Sequence, residues 1–252
     1  MNTPLIIAHR GNVASAPENT LEAIREAIEI GSDCIEVDVR CTKDMIPVLM
    51  HDPAIGRTTN GRGNVAELTL EEIRGLEVNS EQGGERIPTL EEAILEVRGK
   101  ARLVAEVKVD CTEQIAELVN RMRVADGIFF SAFRLDLIQK LYRSMPSFDM
   151  VWLLDTQGWV GAQAAAAIET ASESEVTIVA PSLQAITESS VCCAHEVGLQ
   201  VWTWCCEDEE QFRKALSLGV DAIITGNPGQ LIDMVKSRGP SPQHFAAPVT
   251  MR

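Results

Sequence analysis

Ionisable side chains that could do chemistry stand at the ends of apolar segments of this 252-residue chain. They are His9, Arg10, Glu36, Asp38, His51, Glu106 and Lys108. Each follows or interrupts a short apolar run of the kind that forms a buried strand. Because side chains alternate between the two faces of a strand, Glu36 and Asp38 point to the same side. Glu106 and Lys108 share a side for the same reason, so these groups meet in one site if that side is the interior of a barrel.

A divalent metal ion is the first chemistry that this set predicts. Burying Glu36, Asp38 and Glu106 close together is costly unless their charge is compensated. All-oxygen ligands favour Mg2+ or Ca2+ over Zn2+, with Mn2+ as a further candidate. Each carboxylate taken singly is more simply a surface charge or a turn residue, so the prediction depends on the three together.

Acid–base catalysis and phosphate binding are the other two roles that the set suggests. His9 and His51 suit general acid–base work, because one imidazole can accept a proton while the other donates one. Arg10 and Lys108 could hold an anionic phosphate ester against the metal. His195 lies in a predicted helix beside two cysteines, and we interpret it as structural.

Strand and helix signals alternate along the chain. The predicted strands cover residues 4–8, 34–39, 101–108, 128–131, 150–154, 176–180, 200–204 and 221–225. The predicted helices cover residues 20–30, 89–97, 112–124, 135–144, 160–171, 187–197, 208–218 and 228–235, with Asn19 as the cap of the first. Eight such units predict an α/β protein of the (β/α)8 TIM-barrel class. A doubly wound sheet is the alternative, but no GxGxxG loop follows the first strand.

The domain organisation follows from the two places where this alternation stops. Residues 53–88 are rich in Gly, Arg, Asn and Thr, with a single short helix predicted over residues 69–76. A loop this long inside a compact domain is usually functional. We therefore predict one catalytic domain over residues 1–238 and a flexible tail over residues 239–252.

Composition excludes several classes of protein. The net charge of −15 argues against a nucleic-acid partner, which needs a basic surface. No run approaches the ~18 apolar residues of a membrane span, and the N-terminus lacks the features of a signal peptide. Seven cysteines without a CxxC motif indicate neither a disulfide framework nor a structural zinc site. We expect a cytoplasmic protein. A homodimer is possible because helix-covered barrels often dimerise, although no one apolar face stands out.

Short motifs spread in order along the chain identify a family resemblance. They are His9-Arg10-Gly11, Pro17-Glu18-Asn19-Thr20, Glu36-x-Asp38, Thr42-Lys43-Asp44, His51-Asp52, Arg57-Thr58-Thr59-x-Gly61, Ile87-Pro88-Thr89-Leu90-x-Glu92, Glu106-x-Lys108 and Trp202-Thr203. Together they resemble the glycerophosphodiester phosphodiesterases. Any one of them alone would mean little, and the joint match is specific.

The resemblance implies a (β/α)8 barrel with an insertion after its second strand, here about residues 52–88. It implies a divalent metal on the three carboxylates, His9 and His51 as the acid–base pair, and Arg10 and Lys108 on the phosphate. The implied reaction cleaves a small glycerophosphodiester to sn-glycerol 3-phosphate and an alcohol. In the mechanism that the resemblance implies, the free glycerol hydroxyl attacks phosphorus, the alcohol leaves, and water opens the cyclic phosphate.

Two stretches depart from the family pattern and concern the substrate pocket. Trp-Thr-Val-Asn is frequent in the family where this chain has Trp202-Thr203-Trp204-Cys205, and Thr-Asp-x-Pro where it has Thr225-Gly226-Asn227-Pro228. Trp202 and Trp204 share a strand face, so we place both at the substrate pocket, although Trp204 could equally pack in the rim. Two alternative functions stay open: a phospholipase D-like enzyme acting on lysophospholipids, and a catalytically silent phosphodiester-binding protein.

Overall fold

The computed structural model describes residues 3–80, 83–155 and 162–237. Its strands are β1 (Leu5–His9), β2 (Cys34–Cys41), β3 (Pro47–Leu49), β4 (Arg102–Val107), β5 (Ile128–Ala132), β6 (Asp149–Leu154), β7 (Ile178–Pro181), β8 (Gln200–Thr203) and β9 (Ala222–Thr225). Its α-helices are α1 (Leu21–Glu29), α2 (Leu70–Arg74), α3 (Leu90–Val97), α4 (Thr112–Met122), α5 (Leu135–Ser144), α6 (Ala162–Ser172), α7 (Glu188–Glu196), α8 (Glu209–Leu218) and α9 (Pro228–Ser237).

Eight of these strands form a closed parallel barrel. β1 pairs in parallel with β2 on one side and with β9 on the other, and this pairing closes the ring. β3 lies outside the ring and pairs antiparallel with β2. Helices connect successive strands of the ring, so the predicted (β/α)8 class is confirmed.

Two apolar layers hold the barrel together. The inner layer fills the ring with side chains such as Ile7, Phe129 and Trp202. The outer layer packs the opposite faces of the strands against the buried faces of the helices. Successive side chains of a strand point alternately into the inner and the outer layer. An ionisable residue on the inner face therefore lies inside the barrel and not in solvent.

The segment after β3 has a small core of its own. It contains two 3-10 turns, Ile55–Arg57 and Val65–Glu67, besides the short helix α2. Their apolar side chains, among them Ile55 and Ile73, pack with Val48 of β3. The inserted segment is therefore anchored on the barrel, and its charged residues can be held in fixed positions.

One local prediction is wrong, and another falls outside the described residues. Asn19 does not cap α1, because the N-cap is Thr20, whose hydroxyl accepts a hydrogen bond from the amide of Ala23. Asn19 instead adopts a φ of 58° and turns its side chain toward β2. The predicted tail, residues 239–252, lies outside the described residues, as does His244, and the single domain over residues 1–238 stays a prediction.

No helix among the described residues is long and apolar enough to cross a membrane.

The turn after β1 depends on a glycine that touches α1. Gly11 has a φ of 88°, and a Cβ on it would lie 2.6 Å from the backbone carbon of Ala23. The backbone amide of Asn12 donates to the carbonyl of Ala23 across the same contact. This close approach seats α1 against the turn that carries Arg10.

Replacement of Gly11 by alanine therefore tests this contact. We expect Gly11→Ala to lower the free energy of unfolding by about 2–5 kcal/mol, the sum of left-handed strain and overpacking, as measured by urea denaturation. Gly31→Ala is the matched control, since Gly31 has a φ of 91° but open space around its Cβ position. The control should lose only about 1–2 kcal/mol. Equal losses in the two variants would contradict a steric role for Gly11.

Candidate active site

Strand register brings the predicted residues together at the carboxyl end of the barrel. His9 is the register partner of Glu36 across β1 and β2. Asp38 is the register partner of Glu106 across β2 and β4. Since parallel strands end at the same rim, these neighbours meet at one mouth.

The three carboxylates form a buried cluster. One oxygen from each of Glu36, Asp38 and Glu106 lies within 4.8 Å of the other two. The three residues are only 3%, 0% and 8% exposed. Oε1 of Glu36 is buried and receives no hydrogen bond from the described residues. An oxygen-lined position with an unsatisfied carboxylate oxygen fits a hard divalent cation.

Two cations flank this cluster. The ammonium of Lys108 lies 2.9 Å from Oδ1 of Asp38 and also contacts Glu106. Nε of Arg10 lies 3.1 Å from Oδ2 of Asp38, and its backbone amide donates to Glu36 at 2.9 Å. The backbone of Arg10 is left-handed, with a φ of 60°, which lets its amide and its side chain face the same site.

Burial and charge act differently on the carboxylates. Burial, together with the charges of Asp38 and Glu106, raises the pKa of Glu36 well above its usual range. Burial also raises the pKa of Glu106. Burial opposes ionisation of Asp38 as well, yet Lys108 and Arg10 together lower its pKa. Asp38 is therefore the fixed anion of the cluster, and ionisation of the two glutamates calls for further positive charge.

Asn19 belongs to this site although the sequence analysis assigned it to a helix cap. Its side-chain amide donates to Oδ2 of Asp38 at 2.8 Å. Its side-chain oxygen accepts from the backbone amide of Asp38 at 2.9 Å. The motif Pro17-Glu18-Asn19-Thr20 was the available signal, but a polar residue before an amphipathic helix favours the cap interpretation.

A chain of charged side chains connects the inserted segment to the second histidine. Nδ1 of His51 lies 2.7 Å from Asp52, which in turn contacts Arg57. Arg57 also makes two hydrogen bonds, of 2.8 and 2.7 Å, to the carboxylate of Glu18. Glu18 accepts a further bond of 3.0 Å from Arg10. The ring of His51 is thereby oriented through its Nδ1.

His9 stands between the carboxylates and the end of β8. Its Nε2 lies 3.9 Å from Oε2 of Glu36, and its Nδ1 lies 3.5 Å from the sulfur of Cys205. Burial, followed by the nearby charge of Arg10, lowers the pKa of His9 to about 4. The imidazole is therefore neutral at pH 7.

A cavity of about 170 Å³ opens between these groups. Its polar wall carries six of the seven residues predicted at the rim: His9, Arg10, Glu36, His51, Glu106 and Lys108. Its apolar wall includes Phe133 and Trp204, whose rings meet edge to face at 5.4 Å. Trp202 does not join them, because it is fully buried below and packs on Phe129. The structure thus brings Trp204 to the predicted pocket and places Trp202 in the inner core.

The structure is a (β/α)8 barrel whose carboxyl-end rim carries acids, bases and cations around one cavity. This is the arrangement of a TIM-barrel enzyme. Residues 9–230 match the glycerophosphoryl diester phosphodiesterase family. The chain belongs to this family and is an enzyme of that class, which hydrolyses glycerophosphodiesters.

Individual relatives support the same assignment. The chain is 31% identical over 247 residues to the glycerophosphodiester phosphodiesterase of Caldanaerobacter subterraneus subsp. tengcongensis, covering 93% of this chain and 99% of that protein. An Oleispira antarctica phosphodiesterase, solved in complex with the product sn-glycerol-3-phosphate, superposes with a TM-score of 0.85 at 25% identity and covers 92% of this chain and 97% of that one. The Thermotoga maritima glycerophosphodiester phosphodiesterase has the same fold, with a TM-score of 0.78 at 24% identity over 93% and 99% of the two chains.

The lowered pKa of His9 predicts a specific titration. In metal-free protein, we expect the His9 ring signals to titrate with a midpoint near pH 4 by NMR. An unfolded histidine binds its proton near pH 6.5, so His9 alone should make the fold less stable as the pH falls from about 6.5 to 4. His9→Asn identifies the signals among the four histidines. A midpoint near 6.5 would contradict the environment described above.

Proposed function

We propose that this enzyme is a metal-dependent phosphodiesterase that converts glycerophosphodiesters to sn-glycerol 3-phosphate and an alcohol. The observation that carries the proposal is the buried carboxylate cluster facing two histidines across one small cavity. The product complex of the Oleispira antarctica relative supports the choice of substrate.

A divalent ion fits the residues at the cluster. Glu36, Asp38 and Glu106 would hold it, and their all-oxygen donor set favours Mg2+ or Ca2+, with Mn2+ as a further candidate. The raised pKa of Glu36 and its buried Oε1, which has no hydrogen-bond partner among the described residues, both support a cation at this position. When bound, such an ion offsets the negative charge that develops on the phosphoryl oxygens.

Arg10 and Lys108 would hold the phosphate. Both side chains line the cavity, and both already contact the carboxylates. When all of these groups are ionised, the three carboxylates outnumber the two cations. The net negative charge of the site would then repel an anionic ester. A divalent ion reverses that balance, so we infer that metal and phosphate bind together.

The two histidines would divide the proton transfers. His9, neutral at pH 7, accepts the proton of the glycerol hydroxyl as its oxygen forms a bond to phosphorus. His51, oriented by Asp52, donates a proton to the alcohol oxygen as the bond from that oxygen to phosphorus breaks. Water then opens the cyclic phosphate: His51 accepts the water proton, and His9 returns its proton to the glycerol oxygen that leaves phosphorus.

The remaining walls of the cavity suit the organic parts of the substrate. Ser131 lines the cavity and is only 1% exposed, and its buried hydroxyl has no hydrogen-bond partner among the described residues. We infer that it binds a glycerol hydroxyl, since an unpaired buried hydroxyl gains about 1 kcal/mol or more from a partner. Trp204 and Phe133 would cover the carbon skeleton on the apolar side.

The experiment that tests the function measures glycerol 3-phosphate release from glycerophosphocholine. We expect release that EDTA abolishes and that Mg2+, Mn2+ or Ca2+ restores, the order of restoration naming the preferred ion. His51→Asn should lower kcat by a factor of about 10² to 10⁴, the range expected for a lost general acid–base group.

His195→Asn is the matched control, because His195 lies on α7 and pairs with Asp221 far from the cavity. Its activity should equal that of the parent. Absence of release with any ion, by folded protein, would refute the proposal. Lysophospholipid turnover would then indicate the phospholipase D-like alternative, and binding without turnover the silent protein.

Trp204→Val tests the apolar wall. If Trp204 contacts the substrate, the ratio of kcat/KM for glycerophosphocholine, glycerophosphoethanolamine and a long-chain diester should change by about tenfold. Trp204→Phe keeps an aromatic wall and should retain the parental ratios, although it loses the bond of 2.7 Å from the indole to the carbonyl of Ala180. Unchanged ratios in the valine variant would confine Trp204 to packing in the rim.

The remaining predictions concern the setting of the enzyme. A cytoplasmic location and the absence of a nucleic-acid partner are expected from the sequence alone, and a homodimer is possible because of the helical exterior of the barrel. They stay predictions.

A further inference from the structure

A second group of metal-ligand side chains lies beside the carboxylate cluster. His9, Cys205 and Glu207 bring one nitrogen, one sulfur and one oxygen atom within 4.8 Å of one another. His9 ends β1, whereas the other two residues follow β8. This mixed donor set differs in kind from the all-oxygen cluster next to it.

The spacing of the two softer donors matches a tetrahedral ion. Nδ1 of His9 lies 3.5 Å from Sγ of Cys205. Zinc bonds of ~2.0 Å to nitrogen and ~2.3 Å to sulfur, at a tetrahedral angle, place the two donors about 3.5 Å apart. Sγ also lies 3.9 Å from Nε2, so the sulfur stands beside the ring, and a rotation of the imidazole would bring Nδ1 and Sγ onto one ion.

The third donor has room because of a glycine. The carboxylate of Glu207 accepts hydrogen bonds of 3.2 and 3.3 Å from the backbone amide of Gly226. A Cβ on Gly226 would lie 2.8 Å from Oε2 of Glu207, so a larger residue would displace the carboxylate. Glu207 is exposed and Cys205 lines the cavity, which leaves the group open to ions from solvent.

We propose that His9, Cys205 and Glu207 form a site for Zn2+, and that the ion inhibits the enzyme by occupying His9. The inhibition rests on the proposed acid–base function of this histidine. The thiol releases its proton to solvent as the sulfur bonds to the ion. With the ion on Nδ1, the ring carries its proton on Nε2 and can no longer accept another one. Water completes the coordination.

Ligand chemistry separates the two neighbouring sites. Thiolate and imidazole select Zn2+ over Mg2+ and Ca2+, while carboxylates alone suit the harder ions. The same cavity thus carries an activating site for one class of ion and an inhibitory site for another. The cysteine spacing along the chain gave no sign of the second site, because its partner residue lies 196 positions away.

Co2+ reports thiolate ligation directly, so it is the first probe. The parent for this test carries Cys192→Ser and Cys193→Ser, which remove the exposed thiols on α7. With Mg2+ in excess, added Co2+ should give the intense near-ultraviolet band of a thiolate–cobalt bond, and Zn2+ should remove it. Cys205→Asn in the same background should lose the band. A band that survives in this variant, or no band in the parent, would overturn the site.

Inhibition by Zn2+ is the second measurement. In Mg2+-saturated parent, Zn2+ should abolish glycerol 3-phosphate release. In Cys205→Asn and in Glu207→Gln, the Zn2+ concentration for half inhibition should rise at least about tenfold. Loss of a residue that only hydrogen-bonds to a metal ligand already lowers metal affinity about 10- to 100-fold, and these two residues are proposed as ligands themselves. Thermal unfolding checks that both variants are folded.

The two measurements separate the two proposals. Inhibition that excess Mg2+ relieves, and that Cys205→Asn leaves unchanged, would place the effect at the carboxylates and overturn the inference. If glycerophosphocholine is not hydrolysed at all, the function fails, while the cobalt band still decides whether the site exists.

Discussion

A single buried anion, Asp38, is the constraint around which the site is built. Its side chain is fully buried, and a carboxylate so placed costs several kcal/mol unless cations and donors surround it. Lys108, Arg10 and Asn19 approach it from three different elements. β4, the turn after β1 and the start of α1 are therefore tied to β2 by one charge. Loss of any one contact would leave the others around an under-compensated anion.

The same charge network extends outward to His51, one of the two histidines proposed for proton transfer. Arg10 contacts Asp38 on one side and Glu18 on the other, and Glu18 holds Arg57 of the inserted segment. Arg57 contacts Asp52, which orients His51. The inserted segment thus positions a histidine through side chains at the rim, while its own apolar core keeps it on β3. Such a relay is geometrically fixed, which is what proton transfer requires.

Two of the four non-glycine residues with a positive φ in the described part of the chain lie at the same place. Arg10 and Asn19 both have left-handed backbones, which cost non-glycine residues about 1–2 kcal/mol each. The conformation of Arg10 turns its backbone amide toward Glu36 and its guanidinium toward Asp38. The conformation of Asn19 places its side-chain amide on both the carboxylate and the backbone amide of Asp38, so hydrogen bonds and ion pairs offset the strain. These contacts hold Arg10 and Asn19 against Asp38.

The sequence by itself determined the fold class and most of the site, because both depend on local periodicity. Apolar runs alternating with amphipathic helices define eight barrel units. The two-residue period of a strand places Glu36 with Asp38 and Glu106 with Lys108 on shared faces. The ends of those strands also predicted His9 and His51 at the rim, and the structure has all of them around one cavity or directly behind it.

Tertiary structure decided what depends on neighbours distant in the chain. Asn is a residue type that favours helix N-caps, so the sequence predicts a cap at Asn19. The side-chain amide of Asn19 instead bonds Asp38, because the fold brings β2 next to it. The strand period predicts Trp202 and Trp204 on the same face. Trp202 lies deeper in the barrel and is fully buried, whereas Trp204 lies nearer the rim and lines the cavity. Cys205 meets His9 because β9 joins β8 to β1 as the ring closes. Periodicity reports which way a side chain points, whereas ring closure sets its depth and its partners.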